Sequence, residues 1–230
     1  MNSARQSNRP RPRLAPALLT FLLPLSILTI RADAAPVPAL SREQALQSLS
    51  DAQVQVRREA AARLGEIGAM TDVPTLLRAL RDADDGTRER AEQAIWRVWE
   101  RSGDRQLDRL YRTGVEQMGS GELNKSIATF TRIIRLKPAF AEGWNKRATV
   151  YFLSGEYRKS LADCAQVIKR NPYHFGALSG YGLIYFRLED YERSLGYFRR
   201  ALELNPNMDS VKRNIDLLEQ LIEQRRMNMV

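Results

Sequence analysis

Three prolines, Pro138, Pro172 and Pro206, stand 34 residues apart. Other positions keep the same step: Ser126, Ser160 and Ser194; Leu123, Tyr157 and Tyr191; Ile134, Ile168 and Leu202. Gly114, Ala148 and Gly182 form one further series, and Phe130, Cys164 and Phe198 form another. Tyr151 pairs with Tyr185. Gly121 pairs with Gly155, and Glu189 takes the third place. A recurrence of this length limits the chain to a stack of like supersecondary units, each burying its apolar face on the next.

Each unit reads as two helices. In the second unit, Ala141 to Leu153 is the first helix and Tyr157 to Arg170 the second. Ser154-Gly155 separates them, because glycine takes a left-handed backbone at low cost. Asn171-Pro172 ends the pair, since proline lacks the N–H that a continuing helix needs. Trp144, Ala148 and Tyr151 are spaced to share a face of the first helix; Ser160, Cys164, Val167 and Ile168 share a face of the second. The small residues at 148 and 160 allow the two backbones to approach.

This pattern resembles the tetratricopeptide repeat. The second unit (141–172) carries Trp144, Arg147-Ala148, Tyr151, Gly155, Tyr157, Ser160, Cys164, Val167 and Pro172 at the family's marked positions. The third (175–206) carries Leu178, Tyr181-Gly182, Tyr185, Tyr191, Ser194, Phe198, Ala201 and Pro206. The first (107–138) has Leu110, Thr113-Gly114, Ser126, Phe130, Ile133 and Pro138, but Gln117 where the family has Tyr. The resemblance covers 106–206 and implies an all-α, right-handed α-solenoid. Residues 207–230 follow with one apolar stripe, Val211, Ile215, Leu218 and Ile222, on an otherwise charged segment. That is the pattern of a terminal capping helix, which covers the open end of a stack.

Residues 36–105 have their own step of 31: Leu49 and Leu80, Asp51 and Asp82, Arg57 and Arg88, Ala60 and Ala91, Leu64 and Ile95, Ile67 and Val98. Leu64-Gly65-Glu66-Ile67-Gly68 followed by Val73-Pro74 resembles a HEAT-like repeat of the short, bilin-lyase type. The second copy lacks the glycines and carries Trp96 and Trp99 instead. Two such units bury little by themselves. The helix near Ala91 to Arg101 is therefore expected to dock on the first 34-residue unit, with both tryptophans at the junction.

The first 35 residues look like an address. A basic leader, "RQSNRPRPR", precedes 17 apolar residues, "LAPALLTFLLPLSILTI", and then Ala32-Asp33-Ala34. The run holds Pro16 and Pro24 and is shorter than the roughly 20 residues that span a bilayer. A cleaved export signal is expected, with the mature chain starting near Ala35 or Pro36 in the periplasm. The alternatives are an uncleaved anchor, which would make the protein a membrane-tethered assembly factor, and an organelle import peptide. Of the formal charge of +9, the leader supplies five of 36 basic residues and one of 27 acidic ones, leaving +5. That excess is ordinary, and the basic pairs elsewhere alternate with Asp and Glu, so no nucleic-acid partner is predicted.

Chemistry finds few carriers. Cys164 and His174 are the only residues of their types and the sole nucleophile–base pair available. Cys164 falls in an inward slot that holds Phe in the sister units, and His174 falls in the turn between units. One His and one Cys cannot build a four-ligand zinc site. "GSGELNKS", 119–126, is an interhelical turn with the wrong Lys-Ser spacing for a phosphate loop. No catalytic residue, metal or cofactor is therefore predicted. A HEAT-like lyase or enzyme accessory is the rival reading, and the amino-terminal part has no His or Cys to serve it.

The resemblance implies that the first helices of successive units line a concave groove. Its register puts there Tyr111, Val115 and Met118, then Asn145, Thr149 and Phe152, then Ser179, Leu183 and Phe186. Such a stripe suits an extended peptide or a partner helix, although Phe152 and Phe186 have packing between units as an alternative role. The family's carboxylate clamp is missing: Tyr111, Val115, Glu142, Lys146, Gly176 and Gly180 stand around those places, and only Lys146 is basic. The expected function is non-catalytic protein–protein interaction or scaffolding in a bacterial envelope, with a protein or peptide partner.

Overall fold

A computed structural model describes residues 39–228, and the leader and its apolar run lie outside the described residues. Eleven α-helices follow in order among the described residues: α1 Arg42–Ser48, α2 Val54–Ile67, α3 Val73–Ala79, α4 Asp85–Glu100, α5 Arg105–Gly119, α6 Leu123–Leu136, α7 Ala141–Leu153, α8 Tyr157–Arg170, α9 Phe175–Arg187, α10 Tyr191–Leu204 and α11 Asp209–Met227. The fold is all-α, and α5/α6, α7/α8 and α9/α10 are antiparallel pairs stacked in sequence. No described helix is long and apolar enough to cross a membrane.

The 34-residue step is visible as a repeated bond. Ser126, Ser160 and Ser194 each donate Oγ–H to a carbonyl twelve residues earlier, on Gly114, Ala148 and Gly182, at 2.8, 2.7 and 2.7 Å. All three serines are buried. Each hydroxyl thus pins the second helix of its unit to the first and leaves no orphan donor. Between helices the chain turns through positive φ at Gly121 (76°) and Gly155 (75°). The third turn has Glu189 at φ 58°, a strained position for a residue with a Cβ. Its carbonyl and carboxylate accept from Arg225 of α11, at 3.2 and 2.8 Å, which ties the last helix to the array. That helix buries Val211, Leu218 and Ile222 and packs on Phe198.

Trp144 and Tyr151 are half-buried and frame Arg147, whose guanidinium lies 5.2 and 5.6 Å from the two ring centroids. Arg147 forks onto the buried Asp163 of α8 at 2.7 and 2.8 Å and reaches Thr131 of α6. This stacked ion pair joins α6, α7 and α8, and such a two-point geometry is one that Arg alone supplies.

The amino-terminal helices show the 31-residue step in the same way. Arg57 donates to the carbonyls of Asp51 and Ala52, at 2.9 and 3.2 Å; Arg88 donates to those of Asp82 and Ala83, at 2.8 and 3.2 Å. Arg57 also forks onto Asp82, and Arg58 onto Asp84. These pairs hold both aspartates well below the usual carboxylate range, mainly through the arginine hydrogen bonds. Asp84 caps α4 by accepting from the Thr87 amide at 2.7 Å. Gly65 of α2 lets the Ala94 backbone of α4 come close.

The expected docking of α4 needs correction. Its tryptophans do not rest on the first 34-residue unit; they meet the third. Trp99 stacks on His174 with centroids 4.3 Å apart, and Trp96 stands edge-on to Phe175 at 5.3 Å. Phe175, Leu204 and Met208 belong to the apolar cluster of α1–α4. At the other end of α4, Glu100 reaches the first and second units. Beyond its amino-terminal end, Arg81 donates to the Glu203 carbonyl at 2.5 Å and Asn207 to the Leu80 carbonyl at 2.8 Å. The α1–α4 segment therefore touches all three units.

Candidate functional site

The first helices α5, α7 and α9 lie side by side, and α4 runs over their amino-terminal ends. Trp96 sits so close to Gly176 that a Cβ there would come within 2.5 Å of the ring. The Glu100 carboxylate accepts from the Tyr111 hydroxyl at 3.0 Å and pairs with Lys146 at 3.3 Å. Burial, then the nearby Glu142 and Glu100 charges, push the Tyr111 phenol far up, so it stays a donor. Lys146, the one basic residue at the clamp positions, is thereby engaged by the chain's own carboxylate.

Beneath α4, His174 and Glu142 form a fully buried couple, Nε2 to Oε1 at 2.5 Å. His174 Nδ1 accepts from the Ala177 amide at 3.0 Å and so caps α9. That assigns the proton to Nε2, which donates to Glu142. Burial opposes ionisation of Glu142, but His174, Lys146 and Asn145 outweigh it and hold the carboxyl below its ordinary range. The couple ties α7, α9 and α4 together. Sequence reasoning placed His174 in a turn and missed its partner, 32 residues away. That interval matches no repeat step, so no pattern in the sequence points to the pair.

Further along α7 and α9 the groove is open. A cavity of about 170 Å³ lies there, bordered by Asn145, Thr149, Phe152, Ser179 and Leu183, with Cys164 in its wall. Five of the nine residues assigned to the groove thus surround one space, and Thr149 and Leu183 are exposed. The other four are placed differently. Tyr111 is buried under α4, while Val115 and Met118 pack on the Phe130 cluster of the first unit. Phe186 tilts against Tyr191 at 5.9 Å in the cluster around Phe198. Phe152 makes the matching contact with Tyr157 at 5.7 Å and also borders the cavity.

The cavity has a cause in the sequence. Gly114 faces Phe130 and Gly182 faces Phe198; a Cβ on either glycine would stand 2.7 or 2.5 Å from the ring. The middle unit has Ala148 opposite Cys164. The alanine methyl takes space that a ring would need, and the thiol fills less than a phenyl group, so a void remains. Burial pushes the Cys164 thiol up to about 12, which leaves no thiolate at neutral pH. No cluster of three or more His, Cys, Asp or Glu that could hold a metal ion occurs among the described residues. What the site offers is apolar surface with amide and hydroxyl edges.

Residues 145–209 match a family model described as tetratricopeptide repeat. Among solved structures, the chain is similar to the Sgt2 TPR domain from Aspergillus fumigatus, at 25% identity over 54% of this chain and 83% of that one, with a TM-score of 0.52. It is similar in fold to the first TPR of Spaghetti, solved bound to the HSP90 peptide SRMEEVD, at 23% identity over 52% of this chain and 96% of that one, with a TM-score of 0.50. No curated protein sequence matches the chain.

Proposed function

We infer, from the premise that this chain is a tetratricopeptide-repeat protein and hence a protein–protein interaction module, that it binds an extended peptide in the open half of its groove. The observation that carries this reading is the cavity between α7 and α9, bordered by Asn145, Thr149, Phe152, Ser179 and Leu183. An apolar side chain of the partner enters above Cys164, and the amide and hydroxyls bind the peptide backbone beside it. The clamp end of the groove is not part of the proposal. There α4 covers Tyr111 and Lys146, Glu142 adds an acid, and Gly176 and Gly180 add no donor. An acidic carboxyl-terminal tail, such as the HSP90 peptide on the Spaghetti domain, therefore suits this groove poorly.

Selection of random peptides on the purified protein tests the reading. Selected peptides should share one apolar anchor residue. Leu183→Glu, at an exposed position, should weaken them by about 1.5–3 kcal/mol, roughly ten- to a hundredfold in affinity. Equal binding to wild type and Leu183→Glu would place the peptide elsewhere.

An envelope scaffold remains the proposed setting, supported by residues 1–35 alone. Mass analysis of the chain recovered from whole expressing bacteria, membranes included, should give a start near Ala35 or Pro36. A start at Met1 favours the anchored assembly factor.

A further inference from the structure

The α1–α4 segment meets the repeats at a second place, away from the open groove. There the α4–α5 turn, the end of α6, the residues leading into α7 and the end of α8 enclose a cavity of about 300 Å³. Part of its wall is apolar: Met70, Trp99, Phe140 and two alanines. The rest is Arg101, Ser102, Lys137, Arg170 and Asn171, with no Asp or Glu.

Among the described residues none of the three cations pairs with a carboxylate. Arg101 donates to the carbonyls of Gly68 and Gly65, both at 2.7 Å. Lys137 donates to the Ser102 carbonyl. Arg170 donates to the Pro138 carbonyl at 2.5 Å and to Gln166. Carbonyls orient these groups, Arg170 also lies over the Trp144 ring at 4.7 Å from its centroid, and none of the three forms an ion pair. The carboxylate that feels Lys137 is Asp104, whose Oδ1 already accepts the Gln106 and Leu107 amides.

Two residues that line the cavity, Trp99 and Asn171, each carry a donor without an acceptor, Nε1 and Nδ2, and both donor atoms are closed off in residues only 3% and 2% exposed. An unmatched buried donor is costly, and each such group calls for an explanation. Asn205 stands one repeat later with its own orphan Nδ2, so Asn171 alone would be a trait of the turn. Trp99 and the three cations have no counterpart there.

We propose that this cavity binds a small organic anion. Its acidic oxygens sit among Arg101, Lys137 and Arg170, and a short apolar body lies against Met70, Phe140 and the Trp99 ring. Three cations with no ion-pair partner suit a phosphate or carboxylate head. The chain's own leader is a poor occupant, since it holds five arginines and one aspartate. The cavity's walls come from both the α1–α4 segment and the repeats, so an occupant would strengthen that docking by mass action.

The test uses phenyl phosphate and benzoate as probes, with inorganic phosphate as the probe that lacks a body. Binding is read by calorimetry and by the indole N–H resonance of Trp99, assigned through its loss in Trp99→Phe. An aryl anion should bind, move that resonance and outcompete inorganic phosphate, and the tighter of the two identifies the head group. Lys137→Gln should weaken binding about tenfold or more, the scale of one charge-assisted bond. If Lys137→Gln loses its helical spectrum, Arg170→Gln replaces it. No binding by either aryl anion, or unchanged binding in the folded variant, overturns the proposal. Inorganic phosphate binding as tightly as phenyl phosphate overturns the organic body.

Discussion

The middle repeat unit and its two neighbours share one serine-to-backbone hydrogen bond and differ in one core pair. In all three, a buried serine hydroxyl reaches a carbonyl twelve residues back. In the outer two, a glycine faces a phenylalanine ring at a separation no Cβ could tolerate. In the middle one, alanine faces cysteine, and the space left over borders the groove. A repeat array can thus keep its architecture through one set of positions and change its binding surface through another. The architecture is marked by a hydrogen bond that keeps its residue, Ser, in all three units. The surface depends on volumes, which two neighbouring side chains can trade between them.

The sharpest way to break this comparison is to open a void where none exists. Phe198→Ala should cost about 3–5 kcal/mol, because the ring is fully buried between α9, α10 and α11. Cys164→Ala should cost far less in the same urea titration, since it removes one atom beside an existing cavity. Equal losses would mean that the two positions are not equivalent slots.

A smaller effect comes from closing the middle void. Cys164→Phe alone should cost about 1–3 kcal/mol, as the ring meets the Ala148 methyl. Adding Ala148→Gly recreates the pair of the outer units and should recover most of that loss. The coupling between the two changes should reach about 0.5–3 kcal/mol in a double-mutant cycle. The folded double variant should no longer bind the selected peptides. If it binds them as wild type does, the cavity is not the anchor site.

The smallest effect sharpens the shared half of the comparison. Ser126→Ala, Ser160→Ala and Ser194→Ala should each cost roughly 0.5–1.5 kcal/mol, the net value of one ordinary hydrogen bond. The three losses should agree despite the different cores. A distinctly smaller loss at Ser160, which borders the cavity, would show that water replaces its bond.

Much of the repeat region is legible without coordinates. The limits Ala141 to Leu153 and Tyr157 to Arg170 follow from Gly155, Asn171-Pro172 and the spacing of Trp144, Ala148 and Tyr151, and they coincide with α7 and α8. Cys164 reads as a packing residue because Phe130 and Phe198 hold its place in the sister units. The capping stripe is equally plain, with Val211, Leu218 and Ile222 all buried. The groove register is harder. It brings Asn145, Thr149, Phe152, Ser179 and Leu183 to one cavity, but it does not reveal that Tyr111 and Lys146 are covered. The covering residues, Trp96 and Glu100, lie outside the 34-residue period and carry no register.

The primary structure alone settles which helices pair within each unit and which faces they bury. Those contacts lie about a dozen residues apart, and helical spacing states them directly. The path of α4 is another matter. Trp99 on His174, Trp96 above Gly176 and Glu100 between Tyr111 and Lys146 join residues 11 to 80 positions apart in no common step. Whether they meet depends on how the three stacked units curve, a sum of small rotations that no single residue specifies. The cavity at the α4–α5 turn follows from that packing, whereas the one beside Cys164 follows from the Ala148 and Cys164 pair within a unit.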